Sequence, residues 1–151
     1  EEDSGAVTPE LVIEKFKKLG VHKVVRLNEP DAYDGKLFRR AGMKHVDLFF
    51  EDCTTPSDEL VARFLEECNN TEAEGAITVH CLAGLGRTGT MIALWMMSGE
   101  HRFTADEAIT WLRIVLPGSV IGPQQQYLAW METRLRESSF PFSRAHIERL
   151  D

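Results

Sequence analysis

Residues 79–90 read Val79-His80-Cys81-Leu82-Ala83-Gly84-Leu85-Gly86-Arg87-Thr88-Gly89-Thr90, and the predicted fold follows from the segments on either side of them. The run 76–80 is rich in β-favouring residues and predicts a strand. The glycines predict a turn, and the apolar run 91–97 predicts a helix. This order predicts an α/β fold, with a small mixed sheet flanked by helices and this loop between the central strand and a buried helix.

A loop that opens a helix is suited to binding an anion. Its backbone N–H groups point into one concavity, where the positive end of the helix dipole adds to them. Gly84 and Gly86 suit such a loop because a tight anion nest needs backbone angles that side chains disfavour. The predicted phosphate-binding residues are Leu82, Ala83, Gly84, Leu85, Gly86 and Arg87.

Cys81 and Arg87 stand at the two ends of this loop, in the spacing Cys-x5-Arg. The loop amides, the helix dipole and Arg87 all favour the thiolate, so we expect the pKa of Cys81 to lie well below that of a free thiol. Arg87 carries a planar fork that can hold two phosphate oxygens while the thiolate attacks phosphorus. The pattern therefore predicts a nucleophilic cysteine.

Three other interpretations of the loop are weaker. A buried structural thiol at Cys81 leaves the glycines and Arg87 unexplained. Residues 84–89 match the dinucleotide pattern G-x-G-x-x-G, but that fold needs an acidic residue at the end of a second strand about 20 residues later. Asp106 lies instead in a predicted capped helix. A Walker loop is excluded because Arg87 stands where that motif has Lys.

Composition indicates a single domain over residues 1–151, with 43% hydrophobic and 27% charged residues, as in ordinary globular proteins. We expect residues 1–7 to fray and residues 138–151 to form a tail or linker. The net charge of −7 argues against binding to nucleic acid or to an anionic membrane. No apolar run approaches the roughly 20 residues that span a bilayer.

The three cysteines, Cys53, Cys68 and Cys81, are irregularly spaced and suggest neither a disulfide framework nor a zinc site. We therefore expect a reducing compartment, the cytoplasm or the nucleus. No metal or other cofactor is expected, since the amides and Arg87 supply the positive charge.

Phosphate monoester cleavage also needs a carboxylic acid to protonate the departing oxygen. Asp52 lies in the loop 51–56, just after a predicted strand over 43–50, where it can reach the same rim as Cys81. Asp58 is the alternative, although it stands at a predicted helix start, where the dipole favours a carboxylate for structural reasons.

The string His80-Cys81-x5-Arg87-Thr88-Gly89 resembles the signature of cysteine-dependent protein phosphatases. Further strings resemble the catalytic domain of the cell-division-cycle-fourteen dual-specificity phosphatases, over roughly residues 8 to 137. These strings are Arg26-Leu27-Asn28, Asp47-Leu48-Phe49-Phe50, Thr55-Pro56-Ser57-Asp58 and Pro117-Gly118-Ser119-Val120-Ile121-Gly122-Pro123-Gln124-Gln125.

The resemblance implies roles for several residues. It implies Asp52 as the acid, Thr88 as a hydroxyl donor to the sulfur, and Gln124 or Gln125 as the group that orients the hydrolytic water. His80 is expected to support the loop from beneath. Cys53 stands where similar family members carry Gly, and either captures an oxidised Cys81 as a disulfide or is an ordinary loop thiol.

The resemblance also implies the substrates and partners. These are phosphoproteins carrying phosphoserine or phosphothreonine before proline, or phosphotyrosine, cleaved through a cysteinyl-phosphate intermediate. Similar family members place a second, non-catalytic domain before the catalytic one, and the peptide groove lies between the two. Two alternatives stay open: a phosphatase acting on phosphoinositides or other non-protein phosphates, and a module that binds phosphoproteins with weak activity.

Overall fold

The computed structural model describes residues 8–70, 75–99 and 102–137. The predicted frayed start 1–7 and the predicted tail 138–151 lie outside the described residues. The elements in chain order are α1 (Pro9–Lys18), β1 (Val21–Arg26), a 3-10 turn (Pro30–Ala32), α2 (Lys36–Arg40), β2 (Lys44–Asp47), α3 (Asp58–Asn69), β3 (Ala76–His80), α4 (Gly86–Met97), α5 (Ala105–Val115) and α6 (Gln124–Arg136).

Three helices begin at side-chain caps that the sequence suggests. Thr8 and Ser57 accept hydrogen bonds from backbone N–H groups in the first turns of α1 and α3. At α5, Thr104 and Glu107 form a complete capping box. These caps satisfy N–H groups that the helix itself leaves unpaired, so each helix starts at a defined residue.

The described strands form a parallel sheet in the order β2-β1-β3. This confirms the α/β class, but the sheet is parallel where a mixed one was predicted. Among the described strands β1 is central, and β3, which leads into the Cys81 loop, lies at an edge. The reason is connectivity: helix α2 joins β1 to β2 and helix α3 joins β2 to β3, and such crossovers return the chain in the same direction.

A parallel sheet brings the carboxyl ends of its strands to one edge. The hydrogen bonds from Leu27 N–H to His80 O (2.9 Å) and from Leu48 N–H to Arg26 O (2.9 Å) extend the pairing to the last residues of the strands. The loops that follow the three strands therefore open side by side. The site described below lies among these loops.

Helix α4 is the centre of the core. It contacts β3, α3, α5 and α6, and ten of its residues are buried. Met91, Ala93 and Leu94 are fully buried. Because α4 begins directly after the Cys81 loop, this burial holds the loop against the rest of the domain. Within the described residues, no helix combines the length and the apolar composition that crossing a bilayer requires.

Gly75 offers a test of the β1–β3 pairing. It has φ +134°, and a Cβ added there would lie 2.4 Å from the carbonyl oxygen of Gly20, which accepts the Ala76 N–H. Gly42 also has a positive φ, +88°, but open space around it. We expect Gly42→Ala to lower the free energy of unfolding by about 1 to 2 kcal/mol, and Gly75→Ala to lower it by roughly 3 to 4 kcal/mol. Urea denaturation measures both, and equal losses would contradict the role given to the close contact.

Candidate active site

Cys81 follows β3 directly and begins the loop 81–85 that leads into α4. The residue is 8% exposed, so its sulfur lies at the floor of the loop and not on the outer surface. The N–H of Gly84 donates to Sγ at 3.3 Å. Gly84 has φ +75°, which confirms the predicted need for glycine at this position.

Gly86 is needed for another reason than the predicted one. It lies in the first turn of α4 with an ordinary helical backbone, and a Cβ there would lie 3.1 Å from Oε1 of Gln124. Its role is therefore close packing of the loop against the Gln124 side chain. Of the other predicted phosphate-binding residues, Leu82 and Ala83 are exposed and Leu85 is half-buried.

The surroundings of Cys81 favour its thiolate. Burial by itself raises the pKa of the thiol, but hydrogen bonds from the Thr88 hydroxyl, the Thr88 N–H and the Gly84 N–H, together with the charge of Arg87, lower the pKa below its usual value. The Thr88 hydroxyl is buried and has no other partner in the described part of the chain. The Cys81 sulfur is therefore the acceptor available to this hydroxyl.

Arg87 lies almost fully buried beneath the same loop, with 1% of its surface exposed. Its Nη1 donates to the carbonyl oxygen of Phe50 at 3.1 Å and lies 3.5 Å from Oε1 of Glu29. Its Nε lies 3.2 Å from Oδ1 of Asp52, yet has no hydrogen bond within the described residues. A buried guanidinium N–H without an acceptor is a donor suited to a phosphate oxygen.

The two candidate acids are in different situations. Asp52 is exposed on the loop after β2 and pairs with Arg87, so the structure brings it to the Cys81 loop as predicted. Asp58 forms a two-pronged salt bridge with Arg134 of α6, at 2.8 and 2.7 Å. This hydrogen bonding lowers the pKa of Asp58, which makes it a poor proton donor near neutral pH. Geometry therefore favours Asp52.

Gln124 and Gln125 are both held by protein groups. Gln124 is fully buried; its Oε1 accepts the Ile121 N–H at 2.9 Å, and its Nε2 donates to the carbonyl oxygen of Thr54 at 3.0 Å. Gln125 is exposed and accepts a hydrogen bond from Arg113 at 3.1 Å. Their predicted role in orienting water stays a prediction. The contacts show in addition that Gln124 joins two loops of the site.

His80 supports the loop from beneath, within a buried polar network. Its Nδ1 lies 3.1 Å from the carbonyl oxygen of Cys81, and its Nε2 lies 2.7 Å from the hydroxyl of Tyr33. The same hydroxyl lies 2.9 Å from Nε2 of His45. Burial lowers the pKa of both histidines and raises that of Tyr33 to about 12, so all three are neutral near pH 7.

These neutral states determine the direction of the hydrogen bonds. A carbonyl oxygen only accepts, so the proton of His80 is on Nδ1, and its Nε2 accepts from Tyr33. The Tyr33 oxygen then accepts from the Nε2–H of His45. Tyr33, His45 and Glu29 were not predicted from the sequence as site residues. The only available signal was their position after or near the ends of neighbouring parallel strands.

Cys53 is exposed and has φ +58°, a conformation that favours glycine. This gives a physical reason for the glycine expected there from the family resemblance. A disulfide between Cys53 and Cys81 stays a hypothesis. The described residues hold no cluster of three or more His, Cys, Asp or Glu side chains arranged to bind a metal ion.

Known proteins similar to this chain are phosphatases. The family described as PTP-SAK, a Swiss Army Knife DSP-PTPase phosphatase domain, matches residues 8–128. The chain is 54% identical over 128 residues to dual specificity protein phosphatase CDC14C of Homo sapiens, covering 85% of this chain and 28% of that protein. It is 57% identical over 120 residues to human CDC14A, covering 80% of this chain and 20% of that protein. The chain thus spans less than a third of the length of these relatives.

Solved structures share the fold at low sequence identity. Kinase associated phosphatase has a TM-score of 0.77 at 17% identity, covering 91% of this chain and 83% of that one. PTPMT1 in complex with PI(5)P has a TM-score of 0.72 at 20% identity, covering 87% and 89%. The match to residues 8–128 and the identity to the CDC14 proteins confirm the resemblance inferred from the sequence, and the chain belongs to the DSP-PTPase phosphatase domain family.

Proposed function

We propose that this domain hydrolyses phosphate monoesters on proteins through a cysteinyl-phosphate intermediate. The observation that carries the proposal is the surroundings of Cys81: the Gly84 N–H and the Thr88 N–H and hydroxyl are directed at the sulfur, beside the buried guanidinium of Arg87. A thiolate held in this way is a nucleophile next to a phosphate-binding group.

In the first step the Cys81 thiolate attacks phosphorus. A sulfur–phosphorus bond forms and the bond from phosphorus to the leaving oxygen breaks. The guanidinium of Arg87 and the loop N–H groups stabilise the charge on the equatorial oxygens. Asp52, at the rim beside Arg87, donates its proton to the leaving oxygen.

In the second step water attacks the phosphorus of the intermediate. The sulfur–phosphorus bond breaks, inorganic phosphate leaves and the thiolate is restored. The Asp52 carboxylate takes the proton from the water, and the Thr88 hydroxyl stabilises the returning charge on sulfur. Gln124 or Gln125 is proposed to orient that water.

The substrate class follows from similarity to the CDC14 proteins, which are named dual specificity or tyrosine-protein phosphatases. We extend to this chain the expected preference for phosphoserine or phosphothreonine before proline, with phosphotyrosine also accepted, and a role in cell division. Because the chain spans 28% of CDC14C, a further non-catalytic domain or partner is proposed to complete the peptide groove. The net charge of −7 supports neither nucleic acid nor anionic membrane as a partner.

The two alternatives find less support. A phosphoinositide carries several phosphates and favours a loop rich in Lys or Arg, whereas the most exposed loop side chain here is Leu82, at 77%. A module that only binds phosphoproteins has no need of the hydrogen bonds that lower the pKa of Cys81. A reducing compartment, cytoplasm or nucleus, is proposed because Cys53, Cys68 and Cys81 are all free thiols.

Release of inorganic phosphate tests the proposal directly. The wild-type protein should hydrolyse an aryl phosphate and phosphopeptides, with inhibition by vanadate and no effect of a metal chelator. Cys81→Ser should show no turnover, because an alcohol at this site is not ionised. A folded wild-type protein that releases no phosphate, or Cys81→Ser with undiminished rate, would overturn the mechanism. A panel of phosphoserine-proline, phosphotyrosine and phosphoinositide substrates distinguishes the substrate classes.

The pKa of Cys81 gives a second prediction. In a Cys53→Ser background, which removes the exposed thiol, the rate at which iodoacetamide alkylates Cys81 should reach its midpoint at a lower pH than that of a free thiol such as glutathione, because the surroundings of Cys81 lower its pKa. Cys68 should not interfere, since burial raises its pKa to about 12. Thr88→Val removes a hydrogen bond to the thiolate and should move the midpoint of the alkylation rate to higher pH, while Thr88→Ser should not. Identical midpoints for Thr88→Val and wild type would refute this role of the hydroxyl.

The choice between the two acids gives a third prediction. Asp52→Asn should slow turnover of an unactivated phosphopeptide by about 10²- to 10⁴-fold, because the leaving oxygen then departs without a proton. Asp58→Asn is the matched control and should keep the rate near that of the wild type, since its carboxylate pairs with Arg134. The measurement is kcat on both variants. A large loss in Asp58→Asn alone would transfer the acid role to that residue.

A further inference from the structure

The loop between α5 and α6 contains a strained residue. Val120 has φ +64°, although it is β-branched, and only 3% of its surface is exposed. The left-handed conformation is unfavourable for such a side chain and persists only where neighbouring groups impose it. A Cβ on Gly89 in α4 would lie 3.2 Å from the Val120 nitrogen. The strained residue therefore packs directly against α4, the helix that carries Arg87 in its first turn.

The side chain of Arg113 holds the backbone carbonyl groups of this segment. Arg113, exposed near the end of α5, donates from Nε to the carbonyl oxygen of Ser119 and from Nη2 to that of Val120, each at 3.1 Å. It also donates to Oε1 of Gln125 at 3.1 Å. Two successive carbonyl oxygens directed at one guanidinium hold the peptide between them in place. The same guanidinium also holds the start of α6 through Gln125. These contacts of Arg113 are called the clamp below.

The clamped loop is connected to the acid loop through Gln124. The residue after Val120, Ile121, donates its N–H to Oε1 of Gln124, and Nε2 of Gln124 donates to the carbonyl oxygen of Thr54. Thr54 lies two residues after Asp52. A chain of direct contacts thus runs from Arg113 to the loop that carries the proposed acid, through one fully buried amide.

We propose that Arg113 is a positioning residue for the acid step: by holding residues 119 and 120 it fixes Gln124, and through Gln124 it fixes the loop of Asp52. The catalytic part of this inference rests on the proposed phosphatase function. Arg113 itself contacts no reacting atom. Its effect reaches the chemistry only through the placement of Asp52 relative to the leaving oxygen.

This role predicts a dependence on the leaving group. An acid is needed most when the leaving oxygen is strongly basic, so a misplaced Asp52 slows a phenyl phosphate more than a nitrophenyl phosphate. We expect Arg113→Gln to lower kcat on phenyl phosphate by about tenfold or more, on nitrophenyl phosphate by less than about threefold, and to leave KM near the wild-type value. General loss of structure would lower both rates equally.

Three further variants sharpen the test. Arg136→Gln is the matched control, because Arg136 is an exposed arginine paired with Glu132 on α6 and distant in sequence from the clamp. Arg113→Lys keeps one charge but not the fork, and should restore part of the rate. Val120→Gly in the Arg113→Gln background removes the strain that the clamp opposes and should also restore part of the phenyl phosphate rate. An equal loss on the two substrates, or no loss, overturns the proposal.

Hydrogen–deuterium exchange tests the coupling without any activity. In Arg113→Gln the amides of residues 119–124 and of residues 51–55 should exchange faster than in the wild type, and in Arg136→Gln they should not. If residues 51–55 exchange at the wild-type rate in Arg113→Gln, the coupling is refuted even for an active enzyme. If the coupling is present and the wild-type protein releases no phosphate, the fault lies with the proposed function and not with the clamp.

Discussion

The site depends on one constraint, which is that a buried sulfur must carry negative charge. Burial opposes the charge, so the thiolate exists only where donors replace the water it has lost. Here the Thr88 and Gly84 donors and the Arg87 cation provide that replacement. Each of them is placed by the same structural junction, at which β3 ends and the well-buried helix α4 begins. The rigidity of the core is therefore what makes the sulfur reactive.

Small residues let the surrounding loops approach this junction. Gly86 leaves room for the amide of Gln124, and Gly89 leaves room for Ser119 and Val120. Both glycines have helical backbones, so their value lies in the absence of a side chain and not in conformational freedom. As a result, the phosphate-binding loop, the acid loop and the loop before α6 contact one another through buried groups. These three loops therefore form one connected surface around Cys81.

Local signals in the sequence predicted much of this arrangement. Thr8, Ser57 and Thr104 are residues of the types that cap helices, and each stands at a helix start. The strand–loop–helix order around Cys81 indicates an anion-binding loop with a cysteine at its start. The parallel sheet was not predicted, because strand direction depends on how short helices cross over, and this leaves no periodic trace in the residues. The buried face of α5 could not be predicted either: the helix is apolar on more than one side, and even its Trp111 is 55% exposed.

Contacts between residues far apart in the sequence could not be predicted either. Nothing in a sequence pattern indicates that Tyr33 stands between two histidines, or that Gln124 reaches Thr54 across seventy positions. Those contacts arise only after the chain has folded. The position of Asp52 beside Arg87 could be predicted because its signal was positional: it is a carboxylate just past a strand end, and a parallel sheet gathers such positions at one edge.

The salt bridge between Asp58 and Arg134 has a mechanical consequence for the acid loop. It fastens the start of α3 to α6, while β2 anchors the other side and Gln124 holds Thr54. Movement of Asp52 is thereby confined to changes in the backbone torsion angles of a segment a few residues long, in which Cys53 has a positive φ. For the proposed phosphatase, this confines the movement of the acid to a short segment between two fixed points.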